Sequence, residues 1–185
     1  MALFDNDAAS CYDRILGNLA MLCARRLGVP SEAVFVHSET LRLMKYTVET
    51  VYGTSAGHYS STATEPLAGT GKGNGASPAV WLSICAVLLS AYKTQAPKGI
   101  PLSDPTKTIS SRRYGDAFVD DTSIGLNDPN NLVNIPSLIK TLTECAQLWE
   151  NLLFSTGGAL ELSKCYYHIL HWHWDVLGYP KISTL

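Results

Sequence analysis

Residues 114–125, YGDAFVDDTSIG, place two adjacent carboxylates inside an otherwise apolar run, and this constrains the fold more than any other stretch. Asp120 and Asp121 each raise the cost of ionising the other. Side chains of neighbouring strand residues point to opposite faces, so both carboxylates can approach one site only where the chain turns. The pattern therefore predicts a strand, an acidic turn and a second strand.

Composition sets the context of this turn. The chain has 185 residues, 46% of them hydrophobic and 16% charged, with 14 basic and 16 acidic side chains. This is the make-up of one globular domain, and it lacks the whole-chain positive field typical of non-specific nucleic-acid binding. Any contact with nucleic acid must therefore be local.

Cysteine usage and hydropathy predict the compartment. The five cysteines are scattered and form no CxxC pair. This argues against a disulfide framework and a zinc site and favours a reducing, intracellular setting, the cytoplasm or the nucleus. The longest apolar run, residues 79–91, is too short to span a bilayer, and the N-terminus lacks the basic start of a secretory signal. We therefore expect a protein that is neither membrane-bound nor secreted.

The first part of the chain predicts one extended run and two helices. After MALFDND, Asp13 stands where an N-cap is expected, and Gly28 ends the helix that follows. A second helix is expected to begin after Ser31, to carry apolar residues at helical spacing and to end near Gly53.

The remainder predicts two more helices and several strands. Residues 52–76 are rich in glycine and small polar residues and are expected to be irregular or hairpin-like. Ser77 as N-cap and Pro78 at the first helical position predict a third helix. Residues 94–111 contain three prolines and no regular spacing of apolar residues, so they are expected to form a loop or an insertion. A fourth helix is expected over 136–155, and the aromatic and β-branched tail predicts two or three strands.

This order of elements predicts an α+β domain in which a small antiparallel sheet is covered by helices on one face. The end of the first strand, with Asp5 and Asp7, and the turn at Asp120 and Asp121 can then meet at one edge of the sheet. Converging carboxylates become stable when Mg²⁺ neutralises them, because this ion is held by one or two protein carboxylates with waters and substrate phosphates. Two such ions form the clamp used for in-line phosphoryl transfer.

Four segments of the chain resemble motifs of one protein family. Each match is weak by itself, but the four together, in this order, make a strong resemblance. They are DAASCYD (7–13), GKGNGASP (71–78), FVDD (118–121) and GGALELSKC (157–165), with VLGY (176–179) beyond them. In this order and spacing they resemble the palm of reverse transcriptases, especially those of retrotransposons. The corresponding family features are the first palm aspartate with its aromatic-Asp ending, the Gly-Gln-Gly-x-x-x-Ser-Pro motif, the aromatic-x-Asp-Asp turn, the Gly…Lys segment and the primer-grip strand.

The resemblance covers nearly the whole chain. It implies a partial reverse transcriptase palm over residues 1–185, with a ferredoxin-like core and with the fingers and thumb largely missing. The implied reaction is RNA-directed DNA polymerisation, in which a primer 3′-hydroxyl attacks the α-phosphate of a dNTP and pyrophosphate leaves. The implied partners are an RNA template, a DNA primer and the dNTP, and the implied cofactor is a pair of Mg²⁺ ions, which Mn²⁺ could replace.

The catalytic roles of the family carry over residue by residue. Asp7 matches the first metal-binding aspartate, because it stands six residues before Asp13. Asp120 matches the second metal ligand, and Asp121 matches its partner. Lys164 matches the lysine near the leaving pyrophosphate, where a cation or proton donor lowers the barrier.

The resemblance also implies substrate contacts. Tyr12 matches the aromatic residue that lies under the incoming sugar and blocks a 2′-hydroxyl. Ala8 and Gly73 are further expected contacts, and Gly73 lets the backbone approach the nucleotide closely. Lys72 departs from the family, which has glutamine there. A long cation reaches a phosphate, but it does not repeat an amide's pairing of donor and acceptor.

Two other functions stay open. A viral-type RNA-dependent RNA polymerase or a nucleotide cyclase also has a palm, and Tyr12 disfavours it because an RNA-making site must admit the 2′-hydroxyl. A non-catalytic remnant, which binds a partner or nothing, is favoured by Lys72 and by the missing fingers and thumb. The sequence leaves the oligomeric state open.

Several single features also have other interpretations. Asp5 lies on the strand face of the first palm aspartate and is either a helper or an accidental match. Lys164 and Glu161 could form only a solvated ion pair. AGTGKGNG departs from a P-loop at its first glycine and at its final Ser/Thr position. His171 and His173 share a strand face but lack an evident third metal ligand.

Overall fold

The computed structural model describes residues 1–62, 64, 66–71, 74–96, 99–127 and 135–182. The chain is divided between two compact units, one of Met1–Ala9 with Leu88–Leu185 and the other of Ser10–Val87. None of the helices in the described ranges has both the length and the apolar character needed to cross a bilayer. Helices and antiparallel strands are both present, so the predicted α+β class is confirmed.

The elements follow one another in chain order. The helices and strands of the described residues are β1 Ala2–Asp7, α1 Cys11–Arg14, α2 Gly17–Arg26, α3 Ser31–Leu43, β2 Lys45–Tyr46, β3 Glu49–Thr50, β4 Gly53–Thr54, β5 Tyr59–Ser60, α4 Ser77–Gln95, β6 Ile100–Ser103, β7 Ser110–Arg113, β8 Gly115–Phe118, β9 Asp121–Leu126, α5 Ile135–Phe154, β10 Tyr166–Ile169, β11 Trp172–Trp174 and β12 Pro180–Ile182. A short 3-10 helix over Leu162–Lys164 precedes β10. The helix predicted over 136–155 and the strands predicted in the tail are confirmed.

The central sheet of the first unit has four antiparallel strands in the order β10-β1-β9-β8. The inner strands β1 and β9 run from the pair Ala2 and Leu126 to the pair Asp7 and Asp121. β8 and β9 are joined by a two-residue turn, since Phe118 pairs with Asp121. The predicted strand, acidic turn and strand are therefore confirmed, and the end of β1 lies beside the turn.

Alternation along β1 and β9 gives this sheet two faces. The core face carries residues that are all buried, namely Ala2, Phe4, Asn6, Thr122, Ile124 and Leu126. The acidic face carries Asp5, Asp7, Asp121 and Ser123. The same strands thus supply both the core and the carboxylates.

Helix α5 packs against β1 and β9. It buries Leu142 and Trp149, and Phe4 and Ile124 of the two strands are buried as well. Tyr92, near the end of α4, meets the Trp149 ring edge-on with centroids 6.1 Å apart. Apolar residues at helical spacing in α5 therefore serve the function expected of them, which is to form the core.

The second unit contains α1, α2, α3, the start of α4 and short paired strands. Trp81 and Ile84 of α4 are among its buried residues. Tyr46 of β2 stacks on Tyr59 of β5, with ring centroids 5.2 Å apart and planes 16° from parallel. The hairpin-like prediction for residues 52–76 is confirmed for β4 and β5, which pair with β3 and β2.

The single helix predicted after Asp13 is wrong. The chain forms α1 and α2 with an extended break at Ile15 between them. Asp13 lies inside α1, where its N–H bonds to the carbonyl of Ser10, so it is not the N-cap. The break has a tertiary cause, because the carbonyl of Ile15 accepts a hydrogen bond from the N–H of Gly69 at 2.8 Å.

Helix α3 ends at Leu43, so the predicted end near Gly53 is wrong. Met44 is extended, and the residues after it pair as β2 with β5. Val48 and Val51, which continued the helical spacing, are exposed. The helical spacing of apolar residues gave a wrong helix end, because the residues after Met44 form hydrogen bonds in a strand pair instead of a helix.

Helix α4 starts one residue earlier than predicted. Ser77 is its first helical residue rather than its cap, since the carbonyl of Ala76 accepts the first helical bond from Val80 at 3.1 Å. The Ser77 hydroxyl instead donates to the carbonyl of Gly71 at 3.0 Å. It therefore holds the preceding loop rather than the helix end.

Residues 94–111, expected to be a loop or an insertion, contain strand β6 and the start of β7, which pair as a hairpin. Asp104 closes its tip by accepting hydrogen bonds from the Thr106 hydroxyl and the Ile109 N–H, and these bonds lower the pKa of Asp104 to about 2. Apart from Ile100, the strand residues are exposed. No apolar alternation therefore marks them in the sequence.

Candidate functional site

The site is centred on the paired ends of β1 and β9. Asp7 is the last residue of β1, and its register partner is Asp121, the first residue of β9. Side chains of paired residues project from the same face of a sheet. The two carboxylates predicted to converge are therefore brought side by side on the acidic face.

The turn between β8 and β9 consists of Val119 and Asp120. Val119 has a φ of 56°, in the left-handed region that a β-branched residue rarely adopts. A positive φ at the first turn position is the geometry of a type II′ hairpin, where glycine is preferred. Such strain costs about 1–3 kcal/mol and persists only where the surroundings enforce it.

The turn is also tied to the chain after β1. The N–H of Ala8 donates to the carbonyl of Asp120 at 3.4 Å. This bond places Asp120 close to the end of β1, in addition to the pairing of Asp7 with Asp121. All three aspartates predicted as metal ligands thus lie at the same end of the sheet.

Lys164 reaches this place through the segment that follows α5. The N–H of Ala9 donates to the carbonyl of Ala159 at 2.8 Å, and the N–H of Glu161 donates to the carbonyl of Asp7 at 2.9 Å. The short 3-10 helix then presents Lys164, whose Nζ donates to Asp7 Oδ2 at 2.6 Å.

The charges around Lys164 act in one direction. The hydrogen bond and charge of Asp7 raise the pKa of Lys164 most, desolvation opposes them, and the charges of Glu161 and Asp120 add smaller increases. The Glu161 carboxylate itself accepts a hydrogen bond from Ser163 at 2.6 Å. The hydrogen bond of Lys164 therefore goes to Asp7, and Glu161 contributes through its charge.

Asp5 occupies the next position along the acidic face. Ser123 Oγ donates to Asp5 Oδ1, and His168 Nε2 lies 3.1 Å from Asp5 Oδ2. These contacts join β1 to its two neighbours, β9 and β10. The structure thus gives Asp5 contacts to both neighbouring strands, which the sequence, with Asp5 as either a helper or an accidental match, did not reveal.

The other predicted residues are distributed as follows. Ala8 lies in the first unit, beside the acidic turn. Tyr12 lies in α1 of the second unit, and Lys72 and Gly73 fall outside the described residues. The segment 176–179 lies in the turn between β11 and β12, where Asp175 accepts two backbone N–H groups, so the expectation of a strand is wrong there.

Mg²⁺ prefers carboxylate oxygens, and Asp7, Asp120 and Asp121 offer them. Among the residues whose positions are described, no three Asp, Glu, His or Cys side chains lie close enough together to hold one metal ion. His171 and His173 therefore form no such group with a third residue of the described ranges. Mg²⁺ commonly takes one or two protein carboxylates and completes its shell with water and substrate phosphate. The donor set therefore fits this ion.

Sequence reasoning missed Asn6. It is buried on the core face, and its side chain contacts both β9 and α5. The sequence does contain a signal, because a polar residue occupies the third of the alternating core positions after Ala2 and Phe4. A buried polar group must find partners, so such a break in the alternation indicates a specific contact.

Comparison with known proteins adds no family to this description. No family model matches the chain, and no curated protein matches it.

Proposed function

We propose that this chain is a reverse transcriptase palm that transfers nucleotides from dNTPs to a primer 3′-hydroxyl on an RNA template. The observation that carries the proposal is the register pairing of Asp7 with Asp121, beside a strained Asp120 turn, with Lys164 Nζ 2.6 Å from Asp7. Residues from three distant parts of the chain meet there, and they are the residues to which the family resemblance assigns catalytic roles.

In the proposed reaction, Asp7, Asp120 and Asp121 hold two divalent cations. When bound, these cations supply the charge neutralisation needed for in-line attack on the α-phosphate. Lys164 supplies a positive charge and a proton donor for the leaving pyrophosphate. For Tyr12, the selection of deoxynucleotides by exclusion of a 2′-hydroxyl is proposed from the resemblance alone. This chemistry needs RNA and dNTPs, which fits the cytoplasm or the nucleus.

The direct test is primer extension on an RNA template with Mg²⁺, supplied with deoxy- or ribonucleotides. It is run on the chain alone and on the chain joined to the fingers and thumb of a reverse transcriptase. We expect the joined chain to extend the primer with dNTPs, the chain alone to give little or no extension, and Asp120→Ala to abolish the activity. Asp116→Ala is the matched control, because Asp116 is an exposed carboxylate on β8 that pairs with Arg113. Extension with ribonucleotides only would identify an RNA-dependent RNA polymerase instead.

A second test needs no activity. Mn²⁺ binding is measured by electron paramagnetic resonance and by the shift in melting temperature. We expect the native chain and Asp116→Ala to bind Mn²⁺ and Asp120→Ala to lose binding. Equal behaviour of all three proteins would contradict the metal assignment.

The second candidate is a folded domain without catalytic activity. The observation that favours it is the Lys164–Asp7 ion pair, which already satisfies one carboxylate with a protein cation. Lys72 in place of the family's glutamine points the same way. Under this alternative, neither Mn²⁺ nor Mg²⁺ changes the melting temperature.

A further inference from the structure

Asn6 forms two buried side-chain hydrogen bonds directly beneath the candidate site. Its Nδ2 donates to the carbonyl of Thr122 on β9 at 2.9 Å. Its Oδ1 accepts from the indole Nε1 of Trp149 on α5 at 3.0 Å. An indole N–H only donates and a carbonyl only accepts, so the partners fix the orientation of the amide.

The partners of Asn6 are themselves immobilised by packing. Asn6 is 4% exposed and Trp149 is 1% exposed. The Trp149 ring is held edge-on against Tyr92 at an interplanar angle of 85°. A buried hydrogen bond between fixed groups has a narrow range of lengths, and losing one partner leaves the other unsatisfied. The two hydrogen bonds of the Asn6 amide therefore restrain β1 to a single position relative to β9 and α5.

The position of β1 along β9 determines which residues lie beside the carboxylate of Asp7. Asn6 is the register partner of Thr122, and the next pair is Asp7 with Asp121. Apolar alternation excludes a strand shift by one residue, because such a shift would turn the core residues outwards. A shift by two residues preserves the alternation. Specific contacts such as those of Asn6 help to distinguish the native register from that one.

We propose that Asn6 is a positioning residue for the metal-binding carboxylates, acting through Thr122 and Trp149 to keep Asp7 level with the Asp120–Asp121 turn. The proposal rests on the proposed function for its consequence, which is metal affinity. Its structural content, the alignment of β1 with β9, stands apart from that function. Groups that orient metal ligands commonly change metal affinity by about 10–100-fold when they are replaced.

The test uses the full chain with the double substitution Asn6→Leu and Trp149→Phe. Replacing both partners by apolar groups leaves neither side chain with an unsatisfied polar atom, and only the Thr122 carbonyl loses a donor. Cooperative unfolding in urea checks that the double variant keeps its fold. We expect Mn²⁺ affinity to fall by about tenfold or more. Ile124→Val is the control, because it removes one methylene from the same core face, far from the carboxylates in register, and should lower the melting temperature without changing Mn²⁺ affinity.

Amide hydrogen exchange without metal provides the second readout. We expect the amides of residues 7–8 and 121–122 to exchange at least several-fold faster in the double variant than in Ile124→Val. Unchanged exchange, or an equal loss of Mn²⁺ affinity in Ile124→Val, would overturn the positioning role. A native chain that binds no Mn²⁺ would contradict the proposed function instead, and the exchange result would still decide the alignment.

Discussion

The core face and the acidic face of the central sheet are made of alternate residues of the same two strands, yet they are held differently. On the core face, Phe4 and Ile124 are buried among apolar side chains, an interaction without directional preference. On the acidic face, Asp7 is bound by Lys164, and Asp5 is bound by a serine and a histidine from the two neighbouring strands.

Because of this difference, we expect the core face to determine the stability of the fold and the acidic face to determine what the protein binds. Apolar burial contributes roughly 25 cal/mol per Å² removed from water, so the core face dominates the free energy of unfolding. On the acidic face Asp7 is buried but its partner Lys164 is exposed, and an ion pair with an exposed lysine contributes less to stability than a core side chain and can exchange partners. Substitutions on the core face should therefore destabilise the fold, whereas those on the acidic face should mainly change what it binds.

The strongest test of this comparison uses adjacent residues of β9. Ile124→Ala removes a fully buried side chain and should lower the free energy of unfolding by about 3 kcal/mol. Ser123→Ala loses the hydrogen bond to Asp5 on the other face and should cost about 1 kcal/mol or less. Urea unfolding measures both values, and equal losses would break the comparison.

A second test concerns the turn that joins the acidic strands. Val119→Gly removes a side chain held at a φ of 56°, relieving strain that outweighs the greater freedom of glycine in the unfolded chain. We expect the variant to be about 1 kcal/mol more stable to urea. Val119→Ala keeps a Cβ atom and should gain less. A destabilised Val119→Gly would show that the turn is not strained.

A third test concerns the cation of the acidic face. Lys164→Met keeps a long apolar side chain but removes the ammonium group that bonds to Asp7 Oδ2. We expect Mn²⁺ to bind about two- to five-fold more tightly, because a competing positive charge is gone. Titration followed by electron paramagnetic resonance measures the affinity, with Lys107→Met, at the tip of the β6–β7 hairpin, as the control. Weaker binding in Lys164→Met would contradict the competition.

The smallest expected effect concerns Asp104, a carboxylate held by donors of its own loop. Its pKa is lowered from 3.8 to about 2, so ionised Asp104 stabilises the hairpin above pH 4, and this contribution is lost as the pH falls through about 2. The carboxyl carbon resonance should titrate with a midpoint near 2. The stability difference between the native chain and Asp104→Asn should vanish below that pH, and a midpoint near 3.8 would refute the assignment.

The sequence was informative wherever a periodic pattern matched one buried face. Helix α5 was predicted almost to the residue, and the strand after the acidic turn was predicted as a strand, because the apolar positions of α5 and β9 face the core. The strand before the turn was predicted as well, although β8 is largely exposed. The convergence of Asp7 with that turn was also predicted. Hairpin β6–β7 was missed, since its exposed strands carry no alternation for a pattern to show.

Contacts between distant segments were beyond the sequence. The break at Ile15 depends on a hydrogen bond from Gly69, and the position of Lys164 depends on backbone bonds from residues 159–161 to the end of β1. Asn6 was visible as a polar residue in a core position, but its partners were not. Each of these contacts joins residues that no local propensity relates to one another.

The sequence by itself determined the class of fold, the alternation that divides the sheet into two faces, and the acidic turn, because these follow from local backbone geometry and burial. The tertiary structure decided which side chains meet: Lys164 with Asp7, and Trp149 with Asn6. The reason is that periodicity fixes the face on which a residue lies, whereas its partner depends on how separate elements pack.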